Sequence, residues 1–328
     1  MDRRRFTALI AGALAAIVAL PRLASGQAVR RIGWLTGGSP KSHAKLLEAF
    51  REGLKEHGWV EGRNIALELR WAEGNMERLP LLAAELVRLK PDVIVTAANP
   101  VHVAVKKATA TIPIVMATGS DPVAAGLVTS LARPGSNVTG LSGFFEATPI
   151  KMLELAAALV PRGARVAALL ETKTAFSLPQ YRSEFERTAK ATGVRGEFVE
   201  VASAEDVARA FAALGKSPPA ALIVLPGPTM FFLARDMVKS AGALKVPVIY
   251  PFEESVEAGG LMSYSAPLAE SYRRAARYVD RILKGAKPGE LPIEQPMRLA
   301  LAVNLKTAKA QGITIPRAVL LRADRVIE

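Results

Sequence analysis

The sequence predicts an α/β protein of two similar lobes, each built on a parallel sheet. Three observations lead there. The stretch from Pro91 to Pro122, PDVIVTAANPVHVAVKKATATIPIVMATGSDP, is a complete strand, helix, strand unit with a polar loop after each strand. From Pro219 to Glu254 the same parts return in the same order: a proline, a short apolar run, a Pro-containing turn, an amphipathic helix, a second proline, a second apolar run and a polar loop. Finally, strands alternate with helices along nearly the whole chain, the pattern of parallel sheets with right-handed crossovers. At 328 residues, half of them hydrophobic, the chain is long enough for two cores of ordinary size.

In chain order, Met1 to Ala28 has the three regions of an export signal: the charged Asp2-Arg3-Arg4-Arg5, an apolar run from Ala8 to Leu20, and small residues around Ala24-Ser25-Gly26 and Ala28. The run is shorter than the roughly 20 residues that span a bilayer. Paired arginines before Phe6 fit a twin-arginine signal, and a general secretory signal fits as well. Val29 to Leu35 reads as a strand, followed by the turn Thr36-Gly37-Gly38-Ser39 and a helix to His57, with Ser39 as its N-cap and Pro40 as its first residue. Ile65 to Trp71 alternates as a strand and Met76 to Leu89 has helical spacing. After the first repeated unit a short apolar helix is expected to about Leu131, then a strand from Asn137 to Ser142, where the chain first passes between lobes. The second lobe begins with helix Ile150 to Leu159 and strand Arg165 to Leu170, continues through helix Pro179 to Thr192, strand Gly196 to Val201 and helix Ala204 to Leu214, and reaches the second unit. Leu261 to Ser265 reads as a strand and Leu268 to Leu283 as a long helix returning to the first lobe. Pro-rich Lys287 to Pro296 is a final crossing before Leu299 to Asn304, a helix to Gln311 and a terminal strand, Ala318 to Leu321. The lobes expected are 29–144 with 266–294 and 145–265 with 295–328, after a signal peptide of residues 1–28.

Ligands of parallel sheets sit outside the carboxyl ends of the strands. That rule selects Ala98-Asn99-Pro100, Thr118-Gly119-Ser120-Asp121, Gly227-Pro228-Thr229 and Phe252-Glu253-Glu254, meeting in a cleft between lobes. The turn at Gly38 and Ser39 ends the first strand on the same edge, where free N–H groups suit an anion; glycines there also serve simply to make a tight connection.

Composition narrows the function classes. The formal charge is +13, three of it held by the first 28 residues, whose Arg3, Arg4, Arg5 and Arg22 oppose Asp2. The remaining basic residues are scattered along helices that also carry Glu and Asp, the pattern of a solvated surface and not of a nucleic-acid face. The absence of cysteine excludes disulfides, thiolate metal sites, a cysteine nucleophile and a lipidated N-terminal cysteine. His43, His57 and His102 are too dispersed for a His-rich metal site. No G-x-S-x-G, P-loop or Ser-His-Asp context occurs, and Gly140-Leu141-Ser142-Gly143 lacks the spacing of a nucleophile elbow. No enzyme, metal or cofactor is expected.

An ordered set of short segments then carries a resemblance across nearly all of the chain after residue 28. It comprises Phe50-Arg51-Glu52-Gly53-Leu54 with Glu61-Gly62-Arg63-Asn64, Asp92-Val93-Ile94-Val95, Ile112-Pro113-Ile114-Val115, Asp121-Pro122-Val123 with Gly126-Leu127-Val128, Ala132-Arg133-Pro134-Gly135, Asn137-Val138-Thr139-Gly140 and Asn304-Leu305-Lys306-Thr307-Ala308. In these the chain resembles the periplasmic substrate-binding components of ABC transporters, in particular the family of tryptophan-binding TrpX-type proteins. The resemblance implies a type I periplasmic binding protein, a Venus-flytrap of two Rossmann-like lobes joined by a multi-crossing hinge. Such a protein closes over a small solute and presents it to an ABC permease in the inner membrane; the loops suit an amino acid or other small carboxylate, aromatic ones included, and a periplasmic monomer is expected. By position in that pattern, contact roles fall on Asn99, Ser120, Asp121, Thr172, Thr229 and Glu253, with Phe144, Phe252 and Tyr264 as apolar walls; Asp121 is also an ideal cap before Pro122, the aromatics also suit a core, and Glu254 reads as solvated. A periplasmic sensor that hands its liganded state to a membrane receptor would show the same features. A DNA-binding regulator would carry a helix-turn-helix where this chain has an export signal.

Overall fold

The computed structural model describes residues 29–143, 148–172, 174, 179–295 and 298–328. Strands β1 (Arg30–Thr36), β2 (Ile65–Trp71), β3 (Val93–Ala97), β4 (Ile114–Thr118) and β5 (Val138–Gly140) form a first sheet in the order β2-β1-β3-β4-β5, every pairing parallel. Strands β6 (Arg165–Glu171), β7 (Arg195–Val201), β8 (Ala221–Val224), β9 (Val248–Tyr250), β10 (Met262–Ser265), β11 (Ala300–Asn304) and β12 (Arg325–Ile327) form a second, in the order β12-β11-β10-β9-β8-β6-β7. Only the β10–β11 pairing there is antiparallel.

The connecting helices are α1 (Ala44–Glu56), α2 (Leu79–Arg88), α3 (Asn99–Ala108), α4 (Thr148–Ala157), α5 (Pro179–Thr192), α6 (Ala204–Lys216), α7 (Pro228–Phe232), α8 (Ala234–Leu244), α9 (Glu253–Glu257), α10 (Leu268–Leu283), α11 (Leu305–Gln311) and α12 (Arg317–Leu320). All five residues of β3 and all four of β8 are buried, as central strands covered on both faces must be, and both read as unbroken apolar runs apart from Thr96. Edge strand β2 instead alternates, turning Ile65, Leu67, Leu69 and Trp71 onto the core beneath α1 and α10. The two repeated units are thus β3-α3-β4 and β8-α7-α8-β9, each at the middle of its sheet.

Helix α10 follows second-sheet strand β10 but packs on α1. The approach is close enough that a Cβ on Gly53 would stand 2.3 Å from the Arg273 carbonyl oxygen. Asp280 of α10 accepts a buried hydrogen bond from Trp59 Nε1 at 2.9 Å, which fixes the helix to the first sheet's side.

Three local expectations need correction. Residues 122–131 form turns and no helix: Gly126 sits at φ +65°, and the Thr129 and Ser130 hydroxyls bond the Arg133 carbonyl oxygen. The residues expected as a terminal strand are helix α12, and the strand comes later as β12, because a short apolar run looks alike in either state. Helix α1 starts at Ala44, not after Ser39, since Ser39 and Ser42 close a turn of their own through Ser42 N–H to Ser39 Oγ, 3.2 Å.

Candidate functional site

The carboxyl ends of six parallel strands face one another across a cleft of about 690 Å³. That volume lies within the roughly 300–1,000 Å³ usual for small-molecule sites. From the first sheet come Gly37 after β1, Ala98 and Asn99 after β3, and Thr118 to Asp121 after β4. The second contributes Glu171 and Thr172 at the end of β6, Gly227 and Pro228 after β8, and Pro251 and Phe252 after β9. The start of α10 closes one end with Leu268 and Tyr272.

The loops on the first sheet's side are tightly determined. Ala98, between β3 and α3, holds φ 71° and ψ 142°, a backbone region that residues with a Cβ rarely adopt and that persists only where the surroundings enforce it. Asn99 Oδ1 accepts the Ser120 N–H at 3.0 Å, tying the two loops together. Asp121 Oδ1 accepts from the N–H groups of Val123 and Ala124, 2.9 and 3.1 Å.

Among the described lining residues, the charge in the cleft is of one sign. Glu171 accepts the Thr229 N–H on Oε2 at 3.0 Å and the Thr229 hydroxyl on Oε1 at 2.6 Å, while burial pushes its carboxyl above the ordinary range, against the pull of those two bonds. Gly227 leaves the carboxylate its room, since a Cβ there would lie 2.2 Å from Oε2. Asp121 is the second acid, and no Lys or Arg stands among the described lining residues. His43 adds no charge at neutral pH, because burial lowers its pKa to about 4.

Aromatic rings line the cleft as well. Phe231 meets His43 edge-on at 5.1 Å and Phe252 at 5.2 Å, with Phe232 beside them at 5.9 Å; Trp34 backs Tyr272 at 5.4 Å. His43 belongs to the first sheet's side and Phe231 to the second's, so the rings touch across the cleft. Lys45 and Glu257 make an ion pair across it as well, 2.6 Å.

Of the residues expected at a site, Asn99, Ser120, Asp121, Thr172 and Phe252 line this cleft. The other described ones stand elsewhere. Gly38 and Ser39 fold back on Ser42 and His43, leaving Gly37 as the lining residue of that turn; a Cβ on Gly38 would overlap the His43 ring at 2.2 Å. The Thr229 hydroxyl is taken by Glu171. Glu253 pairs with Arg325 of β12. Tyr264 packs on the second sheet's core, and its neighbour Ser265 faces the cleft instead. Phe144 lies outside the described residues. Glu254, expected in solvent, keeps some exposed surface but encloses its carboxyl, whose Oε2 has no partner among the described residues and whose pKa is raised to about 7, chiefly by burial. Sequence reasoning passed over Glu171, His43, Phe231, Phe232 and Tyr272. The signal for Glu171 was present: it is the charged residue that ends the apolar run Val166 to Leu170 at the sheet's carboxyl edge.

Comparison with known proteins gives consistent likenesses. The family described as ABC transporter substrate binding protein matches residues 39–327. The tyrosine-binding protein of Clostridioides difficile (strain R20291) is 28% identical over 270 residues, 81% of this chain and 76% of its own. The ABC domain from Streptococcus pneumonia, solved in complex with L-Trp, superposes with a TM-score of 0.82 at 28% identity, covering 92% of this chain and 100% of its own. A conserved domain protein from Vibrio cholerae gives the same score and identity over 91% of this chain and 99% of its own.

Proposed function

Since the chain belongs to the family of ABC transporter substrate-binding proteins, we propose that it is the receptor for an aromatic α-amino acid, exported to the periplasm and delivering its solute to an inner-membrane permease. The observation that carries the choice of solute is Glu171, a half-buried carboxylate in a cleft whose described lining holds no Lys or Arg. A buried carboxylate favours a ligand that brings a positive charge, because the desolvated acid is then paired. A purely anionic aromatic acid would meet Glu171 and Asp121 with no counter-charge among the described lining residues. The rings of Phe231, Phe232, Phe252 and Tyr272 suit an aromatic side chain, and the loops at Asn99 and Gly119 to Ser120 suit a carboxylate. Relatives that carry L-Trp or are named for tyrosine support the same class.

Binding closes the lobe of 29–144 with 266–294 onto that of 145–265 with 295–328. Among the described residues no helix is long and apolar enough to cross a membrane; export rests on the signal of residues 1–28, which lie outside the described residues, with cleavage after Gly26 or Ala28. Thermal unfolding of the purified mature chain tests the reading. Tryptophan, tyrosine or phenylalanine at a hundredfold excess over Kd should stabilise it by about 2.7 kcal/mol, while aromatic acids without an amine should not. Stabilisation by the acids and none by the amino acids would overturn the assignment.

A further inference from the structure

We propose that His102 is a positioning residue for the solute's carboxylate, acting through the backbone of the loop after β4; the assignment rests on the amino-acid reading above. His102 lies in the first turn of α3 and is fully buried, so it touches no solute itself. Its Nε2 is 2.9 Å from the Thr118 carbonyl oxygen, which can only accept, so Nε2 carries the proton. Nδ1 is then the acceptor for the Thr96 hydroxyl at 2.7 Å, a bond that fixes the tautomer from behind.

Several bonds that shape the loop meet at His102 and at its partner, the Thr118 carbonyl oxygen. The Thr118 carbonyl oxygen also accepts the Ala98 N–H at 3.1 Å, and the His102 N–H bonds the Ala98 carbonyl oxygen at 3.2 Å. One residue therefore holds both the unusual Ala98 backbone and the end of β4. Gly119 lies against the ring, where a Cβ would stand 2.6 Å from Nε2. The Gly119 N–H shares its trans peptide with the Thr118 carbonyl, so holding that oxygen toward His102 and Ala98 points the N–H the opposite way. Among the described residues, the N–H groups of Asn99 and Gly119 have no hydrogen-bond partner, and both residues line the cleft. Backbone donors held without a partner on a rigid support are what an anionic group recognises.

The test compares His102→Leu, which cannot bond Thr118, with His102→Gln, whose side-chain amide can, by calorimetry with tryptophan and tyrosine against tryptamine and tyramine, the same molecules without the carboxylate. His102→Leu should lose about tenfold in affinity for the amino acids, the worth of one well-placed hydrogen bond, and change little toward the amines. His102→Gln should recover most of the loss. A parallel loss for both ligand classes, or no loss for the amino acids, would overturn the proposal and leave His102 as core packing. If His102→Leu does not fold, Thr96→Val removes the bond that orients the ring and must produce the same selective loss. Failure of the unaltered protein to bind any of these amino acids would instead overturn the solute assignment, and this inference with it.

Discussion

Replacing Glu171 by Gln removes a charge and little else. The amide oxygen can still accept the Thr229 N–H, and the Thr229 hydroxyl, which now donates to Oε1, can rotate to accept from the new NH₂. Burial raises the Glu171 pKa, so the folded state holds the carboxyl proton more tightly than the unfolded state does. Its contribution to stability is therefore present at low pH and is lost as pH rises through the folded pKa. Without ligand, Glu171→Gln should unfold no earlier than the unaltered protein at neutral pH, and its stability should lose that pH dependence. Binding runs the other way. An ammonium needs the ionised carboxylate, and losing the charged partner of a desolvated pair costs on the order of 2–5 kcal/mol, about 30-fold upward in Kd. Affinity of the unaltered protein should fall as pH drops through the Glu171 pKa, and that of the variant should stay flat. Calorimetry with tryptophan and tyrosine across pH, beside unfolding curves, reads both quantities. Equal affinity for the two proteins at neutral pH would refute the reasoning and reduce Glu171 to a bracket for the start of α7.

Gly119→Ala should weaken amino-acid binding at least tenfold and lower stability by about 1–3 kcal/mol, because the added Cβ meets His102 Nε2 at 2.6 Å and Asn99 Oδ1 at 3.0 Å, two atoms already held in place; calorimetry and a melting curve check it. Asp121→Asn should leave the melting temperature unchanged, since Asn caps about as well as Asp, and should cost less affinity than Glu171→Gln; the reverse order would make Asp121 the ammonium acceptor. Lys45→Met removes the exposed ion pair with Glu257 across the cleft. At about 0–1 kcal/mol for such a pair, affinity should fall no more than about fivefold, and the difference should disappear in high salt.

The repeated unit was legible because a buried parallel strand has no polar face to display: the runs at β3 and β8 stand out between prolines, and the sheet-edge rule then points to Asn99, Ser120 and Phe252. Less legible was anything decided by which way a side chain turns at a strand end. Thr172 and Glu171 are neighbours there, and the sequence favours the hydroxyl as a contact while the fold gives the cleft its charge through the acid, anchored by Thr229 from 58 residues away. The aromatic wall was hidden for a related reason. Phe231 and Phe232 read as part of one amphipathic helix, but the chain breaks at Leu233 into α7 and α8, and the short first piece delivers both rings to the cleft.

On the amino-acid reading proposed above, closure would depend on both ends of one solute. The groups suited to a carboxylate, at Asn99 and Gly119, are carried by the first sheet, whereas Glu171 and the rings of Phe231 and Phe252 are carried by the second. A ligand shifts an open–closed equilibrium only by its differential affinity for the two states. An amine alone or a carboxylate alone can satisfy one side in either state and so gains little from closure. A zwitterion gains its second charged contact only when the sheets approach, and an aromatic side chain then adds the apolar area shared by His43 from one side and Phe231 from the other. On that reading, selectivity for the amino acid over its amine and its acid would follow from how the polar groups are divided between lobes, and a variant that removes either set should lose closure together with affinity.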